Sequence, residues 1–400
     1  MLVILSLPIT FVLILIFPFY KIRLVGLFSD RIGHYAMNTE LLLCYLDKIR
    51  STERRVKYLF YTRDAPICNE QLHKMWKRTI CILPMTKLAG FVDRSMFAIL
   101  KSRYKNRELK RFETPNGYQD LNGRLRNHVS HLQFHSEEEK CGKMLLSELG
   151  IPVNARFICI LARDAAYLKK HFPNNDWSYH SYRDCDIENF KKAATYLANK
   201  GYYVLRMGKN VIKSFAINHP NIIDYANHSL RSDFLDIYLS AHCTFFISTA
   251  TGLDAVPQIF KRPVLLTNIA PFNQQLQYWY PCEFFVTKKI FDYKKNKFLS
   301  LKEIENVVAQ TQNFQNKFKE LNWYITENSD EEILDAVKEM EEKVISEGGR
   351  EIKNNFYEFV TGKLPFSMIA DREWIRSHPE KFYIKMNTFF LEKNQFMFSE

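Results

Sequence analysis

The sequence predicts an α/β protein: two Rossmann-like, doubly wound parallel-sheet domains facing a cleft, preceded by an apolar helix and followed by C-terminal helices. Three observations predict it. Short apolar runs of strand length alternate with stretches of helical spacing from residue 22 to residue 267. A helix stop at Gly150, with Pro152 opening the next series, divides that alternation in two. The 400 residues, 46% hydrophobic and 25% charged, suffice for two compact domains and exclude disordered, collagen-like and polytopic membrane classes.

Residues 2–20, LVILSLPITFVLILIFPFY, carry no charge and approach the ~20 residues a helix needs to cross a bilayer. Lys21 and Arg23 follow the run instead of preceding it, which argues against a secretory leader and keeps the globular part on the cytoplasmic side. Pro8 and Pro18 leave two readings, a span or a helix lying on the membrane. Either way the expected location is the cytoplasmic face of the inner membrane.

The first domain, residues 21–150, opens with a strand at 22–28, a polar loop at 29–34 and a helix at 35–48 spaced by Leu41, Leu42, Tyr45 and Leu46. A second strand at 56–61, a helix at 69–78 and a third short strand at 80–83 follow. From 101 to 132 the pattern fades into basic residues, Pro115, Gly117 and Gly123, which predicts a loop or docking surface. A helix at 137–149 closes the domain.

The second domain, residues 151–327, alternates strands at 157–161, 202–207, 222–225, 244–248 and 264–267 with helices at 186–200, 234–242 and 253–260. Capping boxes, Ser300 with Glu303 and Ser329 with Glu332, start two later helices. The second begins a helical tail, residues 328–400, and carries Ile333, Val337, Met340 and Val344 on one face before Gly348 and Gly349.

Basic residues total 56 against 44 acidic, a net charge of +12. Positions 1–150 hold 24 of the basic and 14 of the acidic residues, densest at Lys101, Arg103, Lys105, Arg107, Lys110 and Arg111. A local basic face seeks an anionic surface. No zinc-finger spacing, basic zipper or RNP-like motif accompanies it, so lipid is the expected partner and nucleic acid is not. The eight cysteines, Cys282 among them, show no paired spacing and predict buried free thiols without a structural metal.

In a doubly wound sheet, ligands bind beyond the carboxyl ends of the strands. Arg163 and Asp164 follow the first strand of the second domain, Arg206 and Gly208 the next, Asp224 and Asn227 a third, and Ser248, Thr249, Thr251 and Gly252 a fourth. STATG before LDAVPQIF puts hydroxyls and free N–H groups at a helix start, which serves either as a phosphate grip or as a simple cap. Arg163 suits a diphosphate clamp or a carboxylate pair. Arg183, in DWSYHSYRD, suits a sugar or base, or plain packing. Asp224 and Asn227 read a ribose or start a turn, and Arg231 and Asp233 begin a helix. Walker and dinucleotide glycine motifs are missing. In the first domain, the loop Ser29-Asp30-Arg31-Ile32-Gly33-His34 offers His34 or Asp30 as a general base, with Glu40 a weaker third.

At RIGHYAMNTE (31–40), HSYRDCDIENF (180–190), GYYVLRMGK (201–209) and the stretches 222–239 and 246–266, the chain resembles a family of bacterial glycosyltransferases associated with surface-polysaccharide genes. Residues 222–266 also resemble the donor half of heptosyltransferase-type GT-B enzymes. That resemblance implies a diphosphate grip at Thr251 and Gly252, although Ala250 stands where those enzymes commonly have an aspartate. It implies a metal-independent GT-B transferase, needing no cofactor, that moves a sugar from a nucleotide diphosphate sugar to a glycan or lipid-linked acceptor. Arg163, Arg206, Thr249, Thr251 and Gly252 would stabilise the departing diphosphate. A nucleotide-sugar epimerase of the same fold and a non-catalytic membrane-docked scaffold are the competing expectations.

Overall fold

The computed structural model describes residues 2–50, 55–63, 65–118, 120, 123–125, 128–166, 170, 178–270, 284–308, 314–346 and 386–398. Cys282, Trp177, the Gly348–Gly349 stop and tail residues 347–385 lie outside them. The chain divides into two units, Met1–Glu139 and Lys140–Glu400.

Unit 1 begins with α1 (Leu2–Ile16), which packs along α4 (Thr86–Leu100). At 15 residues and about 1.5 Å per residue, α1 falls short of the ~30 Å hydrocarbon thickness. No helix among the described residues is long and apolar enough to cross a membrane, which removes the spanning alternative.

Strands β1 (Lys21–Leu27) and β2 (Val56–Thr62) pair in parallel, with Leu24 opposite Leu59, through the crossover helix α2 (Ile32–Arg50). Asn69 caps α3 (Glu70–Thr79), its Oδ1 accepting from the Leu72 N–H at 2.8 Å. The expected third strand amounts to one parallel bridge, Phe60 to Ile82. Pro84, which has no N–H, ends that run after a single pairing. Among the described residues, unit 1 therefore has a two-stranded sheet and not a doubly wound one.

The basic segment after residue 100 departs from the expected loop. Asn106 caps α5 (Arg107–Phe112), and Tyr104, Leu109 and Phe112 are buried. Lys101, Arg103 and Arg107 face solvent, but Lys105 does not. Its Nζ lies 2.6 Å from Asp93 Oδ1 and 2.8 Å from Glu113 Oε1. A lysine taken out of water needs such carboxylates, and with the Arg111 side chain 17% exposed and paired to Glu108 at 3.2 Å, the sequence run overstated the basic surface.

Unit 2 contains a six-stranded, wholly parallel sheet in the order β5-β4-β3-β6-β7-β8. The strands are β3 (Phe157–Leu161), β4 (Tyr203–Arg206), β5 (Ile222–Ile223), β6 (Phe246–Ser248), β7 (Val264–Ile269) and β8 (Phe284–Thr287). Counted from β3, this is the doubly wound order 3-2-1-4-5-6. Every residue of β3, β6, β7 and β8 is buried, as the apolar runs of a sheet covered on both faces require.

Connecting helices are α6 (Ser136–Glu148), within which the division between the units falls, α7 (Lys191–Asn199), α8 (Asp233–His242) and the short α9 (Ala255–Ile259). Gly142 lets α6 approach Tyr238, because a Cβ there would stand 2.2 Å from the ring.

A three-stranded antiparallel sheet of β9 (Lys289–Asp292), β10 (Lys297–Phe298) and β11 (Trp323–Thr326) follows. Both capping boxes form reciprocally. Glu303 N–H donates to Ser300 Oγ at 3.3 Å and Ser300 N–H to Glu303 Oε2 at 3.0 Å, starting α10 (Leu301–Val308). The Ser329 and Glu332 pair repeats this at 3.2 and 3.1 Å after α11 (Phe314–Leu321), starting α12 (Asp330–Ser346). Ile333, Val337, Met340 and Val344 of α12 are buried as expected. Of the thiols, Cys44, Cys159, Cys185 and Cys243 are buried, Cys68 and Cys141 partly buried, and Cys81 is exposed, unlike its expectation.

Candidate functional site

Strand order reverses between β3 and β6, and the two loops leaving their carboxyl ends carry Arg163 and the STATG turn. The Arg163 backbone N–H donates to Thr249 Oγ1 at 2.9 Å, fastening the loops together. The turn is held from below by Asp254, whose Oδ2 accepts from Ser248 Oγ and from the Thr251 N–H, each at 2.9 Å. Burial pushes the Asp254 carboxyl up to about 7. Ala250 adopts φ 56°, a left-handed conformation that a residue with a Cβ takes at a cost. Its carbonyl accepts from Arg183 Nη2 at 2.6 Å, so the turn is braced on both sides.

One expectation fails here. The helix after the turn starts at Ala255 and has five residues, with no side-chain cap. Ser248 and Thr249 are therefore not caps, and the helix begins three residues beyond the exposed Gly252. Pro257 inside this short helix and Asp254 bonding back into the turn explain the late start.

What the site has instead is side-chain charge. Arg163 is 11% exposed, with Nε 3.5 Å from Asp184 Oδ1. Arg163 Nη1, Arg183 Nε and Thr251 Oγ1 are buried and have no hydrogen-bond partner among the described residues. Burial, and then the neighbouring Arg183 charge, lower the Arg163 guanidinium to about 10. Lys288 is also buried and lowered by burial, and its Nζ donates to the Asp184 carbonyl at 2.5 Å. Burial raises the Asp184 carboxyl even against Arg163 and Lys288. Arg163 and Arg183 thus each keep one N–H without a partner among the described residues.

Arg206 and Asp224 sit at the ends of β4 and β5 and engage each other. Arg206, 1% exposed, places Nη1 3.3 Å from Asp224 Oδ1. Asp224 Oδ2 accepts from the Phe215 N–H and from Asn227 Nδ2, both at 2.8 Å. Asp164 Oδ2 accepts from the Ile212 N–H at 2.9 Å, so two aspartates tie the 209–215 loop to the sheet edge. Gly208 begins that loop at φ 150°, where a Cβ would come within 2.7 Å of Val211 Cγ1. Arg231 pairs with Asp236 and Asp233 at the start of α8, as the sequence suggested.

In unit 1, His34 stands between the rings of Phe28 and Tyr118, at 5.3 and 5.7 Å. Its Nδ1 lies 3.2 Å from Asn38 Oδ1. Asn38 Nδ2 donates to the Phe112 and Thr114 carbonyls at 3.3 and 3.2 Å, so Oδ1 must accept and His34 Nδ1 must carry the proton. Burial lowers the imidazole, which leaves Nε2 as a free base. Asp30 is 4.0 Å from Arg31 Nε, and its buried Oδ1 is unpartnered among the described residues. Glu40 is wholly buried, 3.0 Å from His131 Nδ1, while His131 Nε2 lies 2.9 Å from Asp47 Oδ2. Glu40, Cys44 and His131 bring possible metal-ligand atoms within 4.8 Å of one another. The hydrogen bonds make this group a carboxylate-bridged histidine strap.

The sequence did not point to Lys288, Asp184, Asp254, Asn38 or His131. Two signals were present: the His34/Asn38 spacing of one helical turn, and an aspartate three residues beyond Thr251.

No family model matches the sequence, and no curated protein does. Among solved structures, the chain is similar to a glycosyl transferase family 9 protein from Veillonella parvula, at a TM-score of 0.46 and 12% identity over 82% of this chain and 98% of that one. It is also similar to the E. coli ADP-heptose lps heptosyltransferase II, at 0.34 and 12% over 67% and 90%. A third is the E. coli heptosyltransferase WaaC with ADP, at 0.30 and 10% over 62% and 87%.

Proposed function

We propose that the protein is a glycosyltransferase that takes a sugar from a nucleotide diphosphate sugar, without a metal, and passes it to a surface-polysaccharide or lipid-linked acceptor. One observation carries this reading: the unpartnered N–H groups of Arg163 and Arg183 beside the STATG turn, at the switch point of a doubly wound sheet. Breaking the bond between the anomeric carbon and the diphosphate leaves negative charge on the phosphate oxygen, and fixed guanidinium groups are suited to receive it. Their presence is why no divalent ion is invoked. Thr251 Oγ1 offers a further hydrogen bond, and the exposed Gly252 leaves the turn backbone open to approach. Arg206 and Asp224 act on this reading by holding the 209–215 loop at the sheet edge, with Gly208 as its turn. For the acceptor, His34 Nε2 is the base of unit 1 suited to take the hydroxyl proton, since Asn38 fixes its tautomer.

The test is thermal stability of the full chain with a panel of nucleoside diphosphates, with and without magnesium, beside the Arg163→Ala variant. A ligand that binds only the folded state raises the melting temperature. A magnesium-independent rise with one diphosphate, absent in the variant, is expected and names the base. No rise with any diphosphate at millimolar concentration sinks the transferase reading and leaves a scaffold.

A further inference from the structure

Helix α1 is built inside out. Its hydroxyl residues Ser6 and Thr10 are buried, at 1% and 4% exposure, and Thr10 Oγ1 has no partner among the described residues. Val3, Ile4, Leu5, Leu7, Ile9, Phe11, Val12 and Leu15 stand in the open, Ile4 at 70% and Phe11 at 63%. A helix on the surface of a water-soluble domain shows the reverse arrangement, and a contiguous apolar face of this size marks an interaction surface. Small hydroxyl residues at a helix contact, with large apolar ones outward, are the pattern of helices packed in lipid.

The carboxyl end of α1 supplies the charge complement. Phe19 and Tyr20 are exposed, as aromatic residues are at a membrane interface. Phe17 joins a core cluster with Met96, Phe97, Leu100 and Tyr104, which brings Lys101 and Arg103 to this end of the helix. The Lys21 N–H donates to the Arg55 carbonyl at 2.9 Å, and Lys57 lies opposite Ile22 in the strand register. Arg55, Lys57, Lys101 and Arg103 are exposed, and residues 17–24, 55–59 and 97–104 contain no carboxylate.

We infer that α1 docks the protein on an anionic lipid surface by entering one leaflet, with Phe19, Tyr20 and these basic residues at headgroup depth. At 15 residues the helix is too short to cross. The inference does not depend on the transferase reading.

The experiment is flotation of the full chain with vesicles of phosphatidylcholine alone or mixed with phosphatidylglycerol. The full chain is expected to float at least tenfold better with the anionic vesicles, and to lose that preference in high salt. Leu5→Gln/Phe11→Gln/Leu15→Gln, all on the exposed face, abolishes flotation while circular dichroism stays unchanged. Lys57→Glu/Lys101→Glu/Arg103→Glu abolishes the preference for phosphatidylglycerol, and serves alone if the first variant misfolds. The inference is overturned if the full chain stays out of the floating fraction, or if neither variant alters flotation. It is equally overturned if α1 proves buried in a soluble dimer that the apolar-face variant splits.

Discussion

The Arg163 backbone N–H and Thr249 Oγ1, 2.9 Å apart, join the ends of β3 and β6 where the strand order reverses. A hydroxyl read from the sequence as a cap or a phosphate ligand thus sets the spacing of the two loops that carry the candidate site. Beside this bond, Arg163 Nη1 and Arg183 Nε have no partner among the described residues.

Thr249→Val should show it. Valine has the same shape but no acceptor, so the half-buried Arg163 N–H loses its partner at a cost of about 1 kcal/mol. Thr249→Ser keeps the bond and most of the stability. Urea unfolding of the three proteins measures this, and a valine variant as stable as the parent contradicts the role given to Thr249.

How much of this was legible depended on where the physical information lies. The strand at Phe157–Leu161 was read to the residue, because five consecutive apolar positions buried on both faces leave no other option. Both capping boxes were equally plain, since their bonds join residues three apart. The start of α9 was misread because Asp254 turns back to Ser248 and Thr251, a tertiary use of a residue that local propensity places in the helix. Lys105 looked like surface charge because its carboxylates, Asp93 and Glu113, lie on other segments. Lys288 joins the cation cluster from beyond β8, a distance in sequence that no local pattern spans.

Asp254 makes stability pH-dependent in a stated direction. Burial raises its folded-state value to about 7 from the ordinary 3.8, so the folded protein holds this proton more tightly than the unfolded chain. Its contribution is fully present below pH 3.8 and is lost as pH rises to about 7, by about 4 kcal/mol for a shift of three units. Asp254→Asn cannot ionise, and its amide oxygen still accepts from Thr251. The variant should match or exceed the parent at pH 8 and fall behind it toward pH 5. Denaturant midpoints across this range measure the difference, and parallel profiles for the two proteins would contradict the buried carboxyl.

His131 should titrate above the ordinary histidine value. Burial opposes its charge, but hydrogen bonds and charges from Glu40 and Asp47 win and raise it. Its stabilisation is full below pH 6.5 and disappears as pH climbs through the raised value. Nuclear magnetic resonance of the histidine ring protons reports this directly. Glu40→Gln should lower the titration midpoint, and an unmoved midpoint would remove Glu40 from the strap.

The Lys105 triad in unit 1 gives the largest expected effect on stability. Tyr61 OH donates to Asp93 Oδ2 at 2.9 Å and the Gly26 N–H to Glu113 Oε1 at 3.0 Å, so both carboxylates are bound into β1 and β2. Burial raises the Asp93 carboxyl, and the Lys105 ammonium works against that rise. Lys105→Met leaves Asp93 without its cation and Glu113 with only the partly exposed Lys110, 3.4 Å from its Oε2, and breaking a buried group from one side costs about 3–5 kcal/mol. Adding Asp93→Asn and Glu113→Gln removes the uncompensated charge and should recover a large part of the loss. Denaturant unfolding followed by circular dichroism measures the parent and both variants. Full stability in the single variant, or no recovery in the triple one, would show that the lysine does not hold the carboxylates in place.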